Sequence, residues 1–274
     1  MSFDLRTAPW REDLAAADLE GVRAAERYVA RERLTCRAPV ADLRRGPGAG
    51  AEQVDQLLFG EAFDGLERRD GWVWGQAARD GYVGWLAEEA LGPPVAPTHR
   101  VVAVATRALT LPDVKAPAGM LLTLNALARV DAEEGRFLRV EGAGWIAAAH
   151  LRLIGEDFDT DPVAAAERLL GAPYLWSGRT GLGVDCSGLV QAALFACGSG
   201  CPRDSDQQEA LLGRPLAEGE AARRGDLAFW DGHVGLMVDG ETLLHANAHH
   251  MAVAREPLAE AAKRQGGEPR LRRL

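Results

Sequence analysis

The stretch Ser177-Gly178-Arg179-Thr180-Gly181-Leu182-Gly183-Val184-Asp185-Cys186-Ser187-Gly188-Leu189-Val190 decides how the chain is read. Its first half is a glycine-rich loop. Its second half opens the apolar run CSGLVQAALFACG, in which Leu189, Val190, Ala193, Leu194 and Cys197 share one face at helical spacing. The loop therefore delivers Cys186 to a helix N-terminus. Unpaired backbone N–H groups and the helix dipole favour an anion there, and this depresses a thiol's pKa. A thiol so placed becomes a nucleophile when a base stands beside it. Without a base, Cys186 reads as a small buried residue at a helix start, a common fate of free cysteine.

The search for a base leads to His233, which opens HVGLMV, and to His245, in LLHANA. Both stretches read as strands. A two-residue loop, Asp239-Gly240, would send the imidazoles to opposite faces. A three-residue loop, Val238-Asp239-Gly240, places the left-handed position on Gly240 and sets His233 directly opposite His245. The latter register is the expectation, with the two Cβ atoms about 5 Å apart. One ring would take the thiol proton and the other would orient it, and spacing alone leaves open which does which. Cys186, His233 and His245 could also supply three metal ligands. The chain lacks the paired, close-spaced ligands of a structural zinc site, so no metal and no cofactor are expected.

Around this core, Pro162-Val163-Ala164-Ala165-Ala166 and SDQQEALLG read as helices, the first with Asp161 as N-cap and Gly171 as its stop. GDLAFW then precedes the two histidine strands. Helices followed by a run of strands predict an α+β domain with an antiparallel sheet, over 160–274. Upstream, residues 36–92 and 99–155 carry short apolar stretches punctuated by Gly and Asp turns, the texture of small all-β barrels. GYVGWLA closes the first unit and GAGWIAA the second, which suggests a duplicated module; one larger β-domain is the alternative. GPPVAPT (92–98) reads as a linker. Residues 11–34, rich in Ala, Glu and Arg with Leu14, Leu19, Val22, Ala25 and Val29 near helical spacing, predict an N-terminal helix within a 1–35 segment.

Composition narrows the function. The 274 residues are 47% hydrophobic and 26% charged, ordinary for a globular chain with a substantial core. The balance of 31 basic against 40 acidic residues, a net charge of −9, argues against nucleic acid and anionic membranes as partners. The basic tail Arg270-Leu271-Arg272-Arg273-Leu274 is too short to change that. Four cysteines are too few for a disulfide scaffold, and Cys197 and Cys201 have no partner pair for a metal. MSFDLRTAPWRED carries no secretory pattern, and no apolar run is long enough to span a bilayer, so a cytoplasmic location is expected. The sequence leaves the oligomeric state open; a monomer is the working expectation.

Several separated motifs now fall in order: Gly171-Ala172-Pro173-Tyr174-Leu175-Trp176, Asp185-Cys186-Ser187-Gly188, Pro202-Arg203-Asp204-Ser205-Asp206-Gln207, Gly225-Asp226-Leu227, His233-Val234-Gly235 and Leu244-His245-Ala246. Together they resemble the NlpC-type family of papain-like cell-wall cysteine peptidases. Leu43-Arg44-Arg45-Gly46-Pro47-Gly48, Asp70-Gly71-Trp72 and Gly81-Tyr82-Val83-Gly84-Trp85 resemble bacterial SH3-like domains. The second copy is degenerate, with Leu111-Pro112-Asp113 in place of the Arg-Gly-Pro element. The resemblance implies a papain-like catalytic domain behind two SH3-like barrels. It makes Cys186 the nucleophile, His233 the general base and His245 the residue that orients it.

That arrangement is similar to the γ-D-glutamyl-L-diamino-acid endopeptidase subgroup, also called the dipeptidyl-peptidase VI type. The subgroup implies a short muropeptide substrate with a free N-terminal L-Ala, cut after D-Glu in cell-wall recycling. It also implies an amine site at Asp185, Ser187, Asp204 and Ser205, a wall and hydroxyl from Tyr82, a weaker second carboxylate at Glu52, and an oxyanion donor at Tyr174. Asp204 also reads as a helix N-cap and Tyr82 as barrel packing. A non-catalytic peptide-binding module, or a thiol acyl-transfer enzyme on a non-murein amide, are the rival expectations.

Overall fold

A computed structural model describes residues 4–274, which divide between Ile154 and Gly155 into two compact units. In the N-terminal unit a seven-stranded antiparallel sheet runs, edge to edge, Gln53–Leu58, Val40–Arg44, Val83–Ala87, Trp72–Ala77, Ala62–Arg69, Glu32–Cys36, Leu91–Gly92. Its inner face buries Leu34, Leu43, Leu57, Phe63, Val73 and Leu86. The hairpin from Arg69 to Trp72 turns on Asp70 and Gly71, both at positive φ (51° and 80°), a two-residue turn whose twist matches the strands it joins.

A five-stranded sheet follows in the order Ala118–Thr123, Ala105–Leu109, Gly144–Ala147, Phe137–Val140, Val130–Glu134, beside a three-stranded one built on His99–Val101. Trp85 pairs with Arg44 in the first sheet and Trp145 with Leu109 in the second. Each tryptophan strand runs on into a 3-10 turn, Glu88–Ala90 and Ala148–His150, and then a short strand at Leu91 or Leu151. The same sequence of elements thus recurs sixty residues on.

The expected N-terminal helix does not form. Residues 11–34 hold the short strand Ala15–Ala16, the 3-10 turn Ala17–Leu19 and the strand Tyr28–Val29 before Glu32–Cys36 joins the first sheet. The unit therefore takes in residues assigned above to a separate 1–35 segment. The apolar positions do not share a face: Leu14 is fully buried while Val22 is 73% exposed. Leu14 packs on Trp74 and Trp85. The Arg11 guanidinium lies 4.2 Å above the Trp74 ring and pairs with Glu67 at 2.6 Å. Tertiary burial and cation–aromatic contact override a helix propensity that adds only tenths of a kcal/mol per residue.

The C-terminal unit is an α+β domain. Its six-stranded antiparallel sheet runs Arg214–Pro215, Arg270–Arg273, Leu227–Trp230, His233–Met237, Thr242–Asn247, Ala252–Pro257. The helices are α1 (Pro162–Glu167), α2 (Cys186–Ala196), α3 (Ser205–Leu211) and α4 (Leu258–Gln265). Asp161 caps α1 through the N–H groups of Val163 and Ala164. Every residue of α2 is buried, so it is the central element against the sheet, not a one-faced surface helix. The basic tail is a sheet strand: Arg270 pairs with Glu209 and Asp231, and Arg273 with Asp226.

Candidate active site

Glycine lets the loop before Cys186 fold close to its helix. A Cβ on Gly188 would stand 2.1 Å from the Gly178 carbonyl oxygen, and one on Gly178 would stand 2.4 Å from that of Gly183. Asp185 caps α2, its Oδ1 accepting the Gly188 N–H at 2.7 Å. Cys186 is thus the first residue of the helix, as the sequence predicts. Cys186 is 8% exposed, and the backbone N–H of Val234, next to His233, favours its thiolate form.

Arg203, fully buried ahead of α3, reaches this N-terminus. It donates to both Asp185 oxygens, at 2.8 and 3.1 Å, and to the Ser187 hydroxyl at 2.9 Å. Asp185 also accepts from the Ser177 N–H at 2.8 Å. A buried carboxylate needs such compensation, because an uncompensated charge is costly to desolvate.

The register of the histidine strands differs from expectation. Leu236 pairs with Leu244 and Met237 with Leu243, with Val238 N–H bonded to the Thr242 carbonyl across the turn. The turn is therefore Asp239-Gly240-Glu241, shifted by one residue, and Gly240 is not left-handed. The cause is Asp239, whose carboxylate holds the N–H groups of Glu241 and Thr242 at 2.8 and 2.7 Å, building the turn with its side chain. The shift moves each pair by two positions, so both histidines keep one face but stand diagonally. Gly235, not His233, lies opposite His245: a Cβ there would be 3.0 Å from the His245 Cβ. The imidazoles still meet, His233 Nε2 to His245 Nδ1 at 2.8 Å with the rings 69° apart.

A third member was missed from the sequence. His245 Nε2 bonds Glu256 Oε1 at 2.6 Å, and Arg264 on α4 pairs with the same carboxylate. His245 pairs with Ala254 across the sheet, so Glu256 stands diagonal to it on the same face. Ala252–Pro257 reads Ala-Val-Ala-Arg-Glu-Pro, with no apolar alternation to mark it as a strand, so the sequence carried no signal for Glu256.

Burial dominates the electrostatics. It pushes the Cys186 thiol up to about 12, with the Asp185 charge adding to the rise. The helix-terminal depression expected from sequence is outweighed by desolvation. His233 is lowered to about 4, first by burial and then by His245. Burial also lowers His245, against the opposing pull of Glu256. For Glu256 burial acts upward, but the hydrogen bonds from Arg264 and His245 more than offset it and hold the carboxyl below its usual range. At rest the site holds a neutral thiol beside a neutral imidazole pair, backed by an anion and a cation. Tyr174 is raised to about 12, first by burial and then by the charges of Cys186 and Asp185.

Of the remaining candidates, Ser187 donates to Asp185 at 3.3 Å, and Asp204 forms a capping box with Gln207 at the start of α3. Ser205 is buried at the first position of that helix. Tyr82 and Glu52 belong to the N-terminal unit. There Tyr82 packs in the core of the first sheet and Glu52 is exposed, paired with Arg45 at 2.7 Å. His245, His250 and Glu256 offer ligand atoms within 4.8 Å of one another, a spacing a metal could bridge. Arg264 on Glu256 places a cation against that spot.

Residues 171–265 match the NlpC/P60 family and residues 43–91 the bacterial dipeptidyl-peptidase Sh3 domain. The gamma-D-glutamyl-L-lysine dipeptidyl-peptidase of Bacillus subtilis is 31% identical over 213 residues, 70% of this chain and 71% of that protein. Dipeptidyl-peptidase 6 of Lysinibacillus sphaericus is 36% identical over 92 residues, a third of each. A crystal structure of an NlpC/P60 family protein from Bacillus cereus superposes with a TM-score of 0.75 at 18% identity, covering 89% of this chain and 99% of that one, which speaks to the fold.

Proposed function

The chain belongs to the NlpC/P60 family of cysteine peptidases, and from that premise we propose that it cleaves the γ-D-Glu–L-diamino-acid bond of short murein peptides with a free N-terminal L-Ala. The observation that carries the reading is the helix-terminal Cys186 set against a strand whose His233 is linked to His245 at 2.8 Å. The dipeptidyl-peptidase names of the Bacillus subtilis and Lysinibacillus sphaericus relatives, and the dipeptidyl-peptidase type of the Sh3 match, support the substrate class. We further propose that residues 99–155 are a second SH3-like copy, on the strength of the repeated tryptophan strand, 3-10 turn and closing strand.

In this mechanism Cys186 Sγ attacks the γ-carbonyl carbon of D-Glu while His233 takes the thiol proton. His233 Nε2 is occupied by His245, so Nδ1 is the ring nitrogen that serves. The raised thiol and lowered imidazole make transfer concurrent with attack, since neither group ionises alone near neutrality. The tetrahedral oxyanion is met by the Cys186 backbone N–H, with the Tyr174 phenol as a second donor. Collapse breaks the C–N bond, His233 returns the proton to the leaving amine, and water then hydrolyses the thioester by the reverse roles.

The free ammonium of L-Ala is assigned to the polar cluster of Asp185, Ser187, Asp204 and Ser205. Within that cluster Asp185 is held by Arg203, Ser177, Ser187 and Gly188, and Asp204 stands at the start of α3. On this reading the enzyme works in the cytoplasm on released wall fragments, as a monomer. Incubation with L-Ala-γ-D-Glu-L-Lys and its diaminopimelate counterpart, read by product mass, tests it: L-Ala-D-Glu appears, and the N-acetylated peptides survive. Equal rates on free and acetylated peptides would overturn the amine site.

A further inference from the structure

We propose that Glu256, held by Arg264, is a positioning residue that fixes the tautomer of both active-site imidazoles and so keeps the base nitrogen of His233 free. The inference rests on the catalytic reading of Cys186 and His233 above and adds what sets the state of that base.

The carboxylate of Glu256 is an acceptor only, so the 2.6 Å contact obliges His245 to carry a proton on Nε2. His245 is neutral near pH 7, because burial to 1% exposure, with the Arg264 guanidinium nearby, holds it below its ordinary value. A neutral imidazole has one N–H, so His245 Nδ1 is a lone pair. The 2.8 Å contact to His233 Nε2 then needs its proton from His233. His233, also neutral, is left with its lone pair on Nδ1, the nitrogen that receives the thiol proton. One carboxylate on the far strand thus decides which nitrogen of the base is empty, two imidazoles away. Arg264, on α4, pairs with Glu256 and helps to hold it anionic.

Had His245 taken the other tautomer, its Nδ1–H would donate to His233 Nε2. His233 would then carry its proton on Nδ1 and present a donor to a neutral thiol, with no base for it. When Cys186 attacks and His233 becomes imidazolium, the same carboxylate also lies at the end of the chain as the counter-charge.

Nitrogen-15 correlation spectra of the imidazoles in the full chain at pH 7 read the tautomers directly. The expected result is Nε2–H at both His233 and His245 in the unaltered protein. Glu256→Ala should convert a fraction of both rings to the Nδ1–H form. It should also lower kcat roughly ten- to a hundredfold, part of the worth of a general base, with KM within about twofold. Glu256→Gln keeps an acceptor oxygen beside Arg264 but no charge, and should restore the tautomers and part of the rate. An Nδ1–H form of His245 in the unaltered protein, or Glu256 variants with unchanged kcat and tautomers, would overturn the proposal. If Glu256→Ala does not fold, the spectrum of the unaltered protein and the rate of Glu256→Gln still decide it. Cys186→Ala separates the two levels. If it stays active, the catalytic reading falls; if it is inert while the Glu256 variants are unaffected, only this inference falls.

Discussion

Replacing Arg203 with methionine removes a cation from the least solvated part of the site while leaving most of its volume filled. Arg203 is 1% exposed. It supplies two hydrogen bonds to Asp185 within 3.1 Å and one to Ser187 at 2.9 Å. The substitution leaves Asp185 with the N–H groups of Ser177 and Gly188 and the Ser187 hydroxyl, but with no counter-charge. Breaking a buried pair from one side costs about 3–5 kcal/mol, because the remaining charge stays desolvated. The double variant Asp185→Asn, Arg203→Met carries no orphaned charge and should recover at least about 1 kcal/mol of that loss. Urea unfolding followed by circular dichroism reads both values, and the reactivity of Cys186 toward iodoacetamide reports whether the α2 N-terminus has shifted. If Arg203→Met costs less than about 1 kcal/mol, the pair does not carry the helix start and the description of Asp185 as a compensated buried cap is wrong.

Two further outcomes follow from the site. A methyl group at position 235 would fall 2.7 Å from Leu243 Cδ1 and 3.0 Å from His245 Cβ, so Gly235→Ala should displace the His245 ring. Steady-state kinetics should show kcat down roughly tenfold or more with the fold retained, and wild-type kcat would show the strand to be more yielding than described. His233 is lowered from its ordinary 6.5 to about 4 by burial and then by His245, so the folded chain resists its protonation. Its contribution is fully present above pH 6.5 and is lost as pH falls through about 4, a span of about 3 kcal/mol. Urea midpoints measured from pH 7 to 4 should fall less steeply in His233→Ala; identical slopes would contradict the lowered value.

Much of the catalytic unit was legible because its signals are local. A glycine-rich loop ahead of an apolar run placed Cys186 on α2, and Asp161-Pro162 marked the start of α1. The common face of His233 and His245 survived a wrong register because the error was two positions, and side chains alternate with a period of two. The exact turn did not survive, since Asp239 builds it with its carboxylate. Other features depend on distant partners. The 11–34 segment has a passable helical stripe, yet Leu14 and Arg11 are claimed by Trp74 and Trp85, some sixty residues downstream. Arg203 and Glu256 look like ordinary charged residues until the fold buries one against Asp185 and the other against His245. The pKa of Cys186 follows burial over the helix terminus, and burial is not written in a spacing.

The central claim is that the sulfur of residue 186 forms a covalent bond to the γ-carbonyl of D-Glu. Rapid quenching of the enzyme with L-Ala-γ-D-Glu-diaminopimelate, followed by intact-mass and peptide mass spectrometry, tests it most directly. The account predicts a transient adduct with the mass of L-Ala-D-Glu less one water, located on Cys186 and absent from Cys186→Ala. Steady turnover by Cys186→Ala, or an adduct on Cys36, Cys197 or Cys201 in place of Cys186, would contradict it.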